Sequence, residues 1–298
     1  MNARIVVALA LPLLWAPSLT KAAELKPETI KAWDEYIRGA SARMDGRVHG
    51  AHFLWADESA DRLNRVRQGE VVVAHAGERA PQGVPHGLIH DWIGAAFIPN
   101  VRIEDLFSVV RDYGRYKDFY RPSVIDSKPL SQAGEKDERF SMVLLNQSLF
   151  LKKALESEYQ TSYVKVDPKR WYGVSYSTRV QEIENFGRTG QRKLPPDTGS
   201  GLIWRLYSFS RFEERDGGVY VEMEAIALSR DIPFSVRWMV EPIVRRVSKS
   251  SVLTSLQQTS DAVRSLVAKG DGSRREPVTA SVDVAPRGGF SRSLVGRH

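Results

Sequence analysis

Residues 219–233 read VYVEMEAIALSRDIP, an alternating strand that runs into about thirty residues with helical apolar spacing. Upstream, residues 202–214 alternate in the same way, and Asp216-Gly217 between the two is a favoured two-residue hairpin turn. That turn sets Arg215 opposite Gly218 and fixes the remaining cross-strand partners. Phe212 then faces Val221, Ser210 faces Met223, Ser208 faces Ala225, Leu206 faces Ala227 and Trp204 faces Ser229. The other face sets Arg211 against Glu222, Phe209 against Glu224 and Tyr207 against Ile226. Its charges suit solvent, so the apolar face is expected to look toward the helix.

The centre of that apolar face holds only Ser208, Ser210, Ala225 and Ala227. Small residues where a sheet meets a helix leave room, which either bulky helix side chains or a ligand must fill. A cavity walled by Trp204, Leu206, Phe212, Val221 and Met223, with two serine hydroxyls for orientation, suits a lipid-like molecule. Tyr172, Val174, Tyr176 and Val180 share one face of residues 171–185, and Tyr176 is placed in the same wall. Trp171 and Arg179 lie on the opposite face, which leaves the orientation of that strand open.

The rest of the chain is organised around this hairpin and helix. The spacing predicts a helix over 27–45, short strands at 52–55 and 71–75 with a helix at 59–68 between them, and a loop over 77–85. A strand at 88–98 and a helix over 103–119 follow. Four more strands are expected at 123–129, 139–147, 150–166 and 171–185, and then a Gly/Pro-rich loop to residue 200. The final helix spans 235–268, with Pro242 marking a kink or its true start. In the 88–98 strand, Ile89, Ile93, Ala95 and Phe97 form a buried face that Asp91 shares. Asp91 is then either a buried carboxylate in need of a partner or a residue at the strand entrance.

Strand, helix, a run of antiparallel strands and a long C-terminal helix is the order of the helix-grip fold. The chain resembles the START-like (SRPBCC) superfamily, which includes the birch-pollen-allergen fold, polyketide cyclases and lipid-transfer domains. The resemblance is carried by HDWIGAAFIP (90–99), RIEDLFSVVRDYGRYKDFYRPSV (102–124) and YVEMEAIALSRDIP (220–233). It implies an α+β helix-grip fold, a curved antiparallel sheet wrapped around a long C-terminal helix, here with an N-terminal α/β extension. It also implies a hydrophobic ligand held between sheet and helix. A minority of such domains catalyse cyclisation or dehydration, but no shared catalytic signature can be carried over.

The division that follows is a signal peptide at 1–23, an extension at 24–86, the START-like domain at 87–269 and a disordered basic tail at 270–298. Arg4, the apolar run from Ile5 to Trp15 and the small residues around Ala22-Ala23 have the layout of a cleaved export signal. The chain has 0 cysteines, so disulfides, thiol nucleophiles and thiolate metal sites are excluded. Together these features read as a bacterial periplasmic or secreted protein. The net charge of +7 permits peripheral contact with an anionic membrane surface, and the lack of a clustered basic motif argues against nucleic acid.

No cofactor is expected. His49 with His52, and His86 with His90 and Asp91, lack a third ligand at metal-site spacing. No nucleophile elbow, P-loop or dinucleotide fingerprint is present. Two readings remain beside the carrier. One is a cyclase- or dehydratase-type enzyme using Asp91, His90 or Tyr176 as acid or base. The other is an envelope interaction module acting through its basic surface. The aromatics Tyr113, Tyr116, Phe119 and Tyr120 either pack on the sheet or form a lid.

Overall fold

The computed structural model describes residues 23–77, 81–131, 137–148 and 151–274. Strand β1 (Ala23–Glu24) leads into α1 (Pro27–His49), a 3-10 turn at Trp55–Glu58 and α2 (Ala60–Arg67). Two short strands, β2 (Val72–His75) and β3 (Gln82–Val84), precede β4 (Gly87–Pro99). Next come α3 (Ile103–Val110), a 3-10 turn at Tyr113–Arg115 and α4 (Tyr116–Phe119). Four strands follow: β5 (Val124–Pro129), β6 (Glu138–Ser148), β7 (Leu151–Lys165) and β8 (Arg170–Glu184). The two-residue strands β9 (Arg192–Lys193) and β10 (Thr198–Gly199) lead to β11 (Arg205–Arg215), β12 (Gly218–Arg230) and α5 (Phe234–Arg274).

The hairpin register is the expected one, from Arg215 opposite Gly218 to Leu206 opposite Ala227. Asp216 (φ 55°) and Gly217 (φ 76°) both adopt the left-handed conformation that a tight hairpin turn of this hand requires. The hairpin sits inside one antiparallel sheet in the order β2-β4-β12-β11-β8-β7-β6-β5, with β3 on β4 and β9 on β8. Helix α5 lies over the β2, β4 and β12 end of this sheet. Val252, Leu256 and Val263 of α5 pack there with Trp92, Ala96, Ile98 and Val221, and with Leu106 and Val109 of α3. At Gly94 the helix comes so close that a Cβ would stand 2.7 Å from Leu256. This is an α+β helix-grip fold.

Over β4, β12 and β11 the opposite face of the sheet is not in solvent. α1, the 3-10 turn at Trp55 and α2 cover it and bury two further apolar clusters. Arg211 and Glu222, expected at the surface, are each only 1% exposed. Arg211 Nε donates to Glu222 at 3.0 Å, and the same carboxylate accepts Trp55 N–H (2.9 Å) and Ala56 N–H (2.7 Å). Glu224 is reached by Arg43, which also donates to Asp91 at 3.0 Å. Tyr36 donates a second bond to Asp91 at 2.8 Å. The N-terminal segment supplies a partner for each of these charges, which allows the layer to be buried.

Three local expectations change for related reasons. Residues 52–55 form no strand, because Glu222 captures the N–H groups that open the 3-10 turn. The helix over 103–119 breaks after Val110, whose carbonyl accepts Tyr116 O–H (2.6 Å) and Tyr163 O–H (3.2 Å). The last helix starts at Phe234 and continues through residue 242 to Arg274, so Pro242 does not mark its start. Residues 1–22 of the export signal and the tail beyond Arg274 lie outside the described residues, while Ala23, the last residue assigned to the signal, pairs with Gly199 in β1.

Candidate functional site

Reading partners across the sheet shows the composition of the face on which α5 lies. One row runs Trp92, Ala225, Ser208, Ser175, Thr161 and Glu138 over β4, β12, β11, β8, β7 and β6. Beside it, His90, Ala227 and Leu206 continue toward Ser177, Tyr159 and Phe140. On the other flank stand Gly94, Met223, Ser210, Gly173 and Tyr163. Small side chains therefore fill the middle of three adjacent rows. At a spacing of about 4.8 Å per strand, the row from Trp92 to Glu138 spans roughly 24 Å.

Two parts of this floor are filled from within. Leu256 and Val252 occupy the space above Gly94, and the Tyr163 ring lies 2.8 Å from where a Gly173 Cβ would be. Between them Leu206, Ser208, Ser210, Met223, Ala225, Ala227 and Ser175 remain half-buried, although they lie in mid-sheet. We call this half-buried strip, flanked by the buried apolar residues Phe212 and Val221, the trough.

Aromatic rings close the trough at its β6 end. Tyr113 stacks on Phe140 at 4.3 Å, Phe140 stacks on Tyr159 at 5.0 Å, and Leu206 packs against this group. Tyr120 Oη meets Thr259 Oγ1 of α5 at 3.1 Å, which ties the residues after α4 to the helix. A hollow of about 360 Å³ opens between α4 and α5 beside Phe119, Ala262 and Leu266. Glu138 is buried and accepts bonds from Arg111 and from Tyr113 Oη (2.6 Å). Burial, then the neighbouring Tyr163 and Glu138, pushes the Tyr113 phenol far above its ordinary range.

The polar groups of this face are chiefly neutral hydroxyls. Thr161 Oγ1 donates to Ser175 Oγ at 2.7 Å, and Ser177 Oγ accepts the Leu206 N–H at 2.9 Å. Ser157 and Tyr159, 0% and 5% exposed, stand two apart on β7, and among the described residues neither hydroxyl has a hydrogen-bond partner. At the β4 end, His90 Nδ1 and Trp92 Nε1 are also buried without partners among the described residues. His90 Nε2 meets Ser229 Oγ at 2.9 Å, and burial holds the imidazole down to about 4, so it is neutral near pH 7.

Eight of the ten proposed wall residues share the trough face or its margin: Leu206, Ser208, Ser210, Phe212, Val221, Met223, Ala225 and Ala227. Two do not. Tyr176 pairs with Tyr207 and stacks on it at 5.9 Å, on the side covered by α1. The alternation of Tyr172, Val174 and Tyr176 serves that second core, which a one-core reading of β8 could not include. Regular pairing ends at Arg205 opposite Leu228, so alternation no longer fixes Trp204, whose ring packs with Leu25, Trp33 and Ile89.

Asp91 also faces α1. Of the three candidate acid–base groups only His90 lies on the trough side. Burial and the nearby Glu224 raise the Asp91 carboxyl to about 7. Sequence reasoning missed Ser157, Tyr159, Thr161, Ser175 and Ser177. Their signal was the small-residue alternation Gly173, Ser175, Ser177 on the face of β8 opposite Tyr176.

No protein-family model matches the chain, and no curated protein matches it. Solved structures do. The STAR-related lipid transfer protein of Xanthomonas axonopodis is 16% identical at TM-score 0.39, over 66% of this chain and 98% of that one. Human STARD10 is 11% identical at TM-score 0.42, over 74% and 84%. The di-domain ARO/CYC StfQ of the steffimycin biosynthetic pathway is 11% identical at TM-score 0.39, over 71% and 56%. The likeness is one of fold alone; the helix-grip arrangement is read from the chain's own element order and packing.

Proposed function

We propose that this protein binds and carries a hydrophobic, lipid-like small molecule in the trough between the sheet and α5. One observation carries the reading: the mid-sheet run Ser175, Ser208 and Ala225 stays half-buried while Trp92, Phe212 and Val221 beside it are buried. Desolvating an apolar ligand there is worth roughly 25 cal/mol per Å² of area removed from water, before ordering costs. We place the carrier in the bacterial envelope, as a periplasmic or secreted protein, on the layout of residues 1–23.

Loading from an anionic membrane surface fits the basic balance of the chain. Trp238 of α5 is 79% exposed, and Arg245, Arg246 and Lys249 farther along the helix are exposed as well. Vesicle binding that weakens as salt rises is the expected behaviour, and salt-independent binding contradicts it.

The decisive experiment is native mass spectrometry of the protein recovered from its own cells' envelope, followed by organic extraction. A reproducible co-purified apolar mass supports the carrier. Apo protein that also fails to take up Nile red rejects it.

A further inference from the structure

The trough's polar groups restrict what it accepts, and this inference rests on the carrier reading. Ser157 Oγ and Tyr159 Oη lie close together, yet among the described residues neither has a hydrogen-bond partner, so at least one buried O–H donor lacks an acceptor. Both are more than nine-tenths buried, where an unmet donor is costly. They stand on the same face as the half-buried floor, one strand beyond Ser177. Stacking of the Tyr159 ring on Phe140 fixes the direction in which its hydroxyl points.

Among the described residues, two cations on this side of the sheet are held by carboxylates. Arg111 is held by Glu138 and Lys153 by Glu182, while Lys165 is exposed at the rim over the Trp171 ring. A carboxylate or phosphate drawn into the trough would lose its hydration and meet neutral hydroxyls, with the Glu138 carboxyl close by. An uncharged oxygen has the opposite balance, since it needs one donor and brings no charge to desolvate.

We propose that the occupant is an uncharged, elongated amphiphile whose carbonyl or hydroxyl oxygen is bound by Tyr159 and Ser157, with its apolar chain along the Ser175–Ser208–Ala225 row. Charged amphiphiles of the same chain length are excluded by the engaged cations.

The test uses the full chain stripped of bound lipid and loaded with Nile red. Decanol and decanoate are titrated in parallel at about pH 8, where the acid is ionised. Decanol is expected to displace the dye at least about tenfold more tightly than decanoate. Equal or tighter binding of decanoate overturns this inference and leaves the carrier reading in place. Displacement by neither rejects both. In Tyr159→Phe, the loss of one buried hydrogen bond should weaken decanol about tenfold and leave Nile red unchanged. Ser157→Ala should act in the same direction. A parallel loss of dye binding in both variants shows a structural role for the pair and overturns the assignment.

Discussion

Arg211 and Glu222 face each other across the β11–β12 hairpin, 3.0 Å apart and sealed beneath α1 and the Trp55 turn. The same carboxylate accepts the first two N–H groups of that turn, so one side chain joins a strand pair to the N-terminal segment. Replacing Glu222 by Leu strands a buried guanidinium and two backbone donors together. The expected cost is about 3–5 kcal/mol in guanidinium denaturation. The double variant Arg211→Met/Glu222→Gln removes the charge pair but keeps an acceptor for the turn, and should recover more than half of that loss. A single-variant cost below about 1 kcal/mol would show that the extension is not anchored here.

Asp91 gives the interface a pH dependence. Its folded-state value, raised to about 7 by burial and by Glu224, lies above the ordinary 3.8. Between those limits the native state keeps a proton that the unfolded chain releases, so stability falls as pH rises from about 4 to about 7 and stays lower above. Measured against Asp91→Asn, the wild type should lose on the order of 3 kcal/mol across that range. Parallel stability profiles for the two proteins would refute the assignment. Tyr36, Arg43 and Arg47 face the same group and set the size of the effect.

His90 works in the opposite direction. Burial holds it down to about 4, below the ordinary 6.5, so in that interval the unfolded chain binds a proton that the native imidazole refuses. Stability is therefore lost as pH falls from about 6.5 toward 4, by roughly 3 kcal/mol, and His90→Gln should remove that part of the slope. The direct check is an imidazole titration by NMR, in which His90 stays neutral at about pH 5. A midpoint near the ordinary value would mean that this face is wetter than described.

The hairpin shows what alternation can and cannot determine. Asp216-Gly217 fixed the register, and every pair from Arg215–Gly218 to Leu206–Ala227 followed from it. The same alternation assigned Arg211, Glu222 and Glu224 to solvent, because a charged face normally means an uncovered one. A second layer contributed by α1 reversed that assignment, and the partners that made burial possible, Arg43 and Tyr36, lie far from the strands in sequence. Tyr176 was misplaced for the same reason, since a strand covered on both faces offers two apolar alternations and no rule to rank them. Beyond Tyr176, the extra residue Thr178 shifts the pairing, so Val180 pairs with Ser157 on the trough face. The small-residue floor was legible on β11 and β12. Its continuation over β8 and β7 needed the register of four strands at once.

Gly94 tests how α5 is held. A Cβ there meets Leu256 at 2.7 Å and Val252 and Val73 at 3.0 Å each, so Gly94→Val forces the helix from the sheet. Overpacking of this kind costs about 1–3 kcal/mol, read from thermal or urea unfolding. If α5 instead moves without penalty, stability will be unchanged and the space above the floor will widen, which Nile red uptake reports. An unchanged melting temperature with unchanged uptake would contradict the close approach.

Ala225→Trp tests the trough itself. Ala225 sits between Trp92 and Ser208 in the central row, half-buried at the margin of the cluster that holds Trp92 and Leu256. An indole at this position occupies the room that the ligand requires while the hairpin keeps its register and its turn. Uptake of an apolar ligand should fall by at least about tenfold, and the unfolding midpoint should change by less than about 1.5 kcal/mol in free energy. The matching substitution on the covered face, Ile226→Trp, enters a sealed core and should do the reverse, destabilising the chain by several times more. If Ala225→Trp unfolds the protein instead, α5 side chains already fill that space and the half-buried floor is no binding site. If it folds and binds as the wild type does, the ligand lies elsewhere, with the hollow between α4 and α5 the next place to probe.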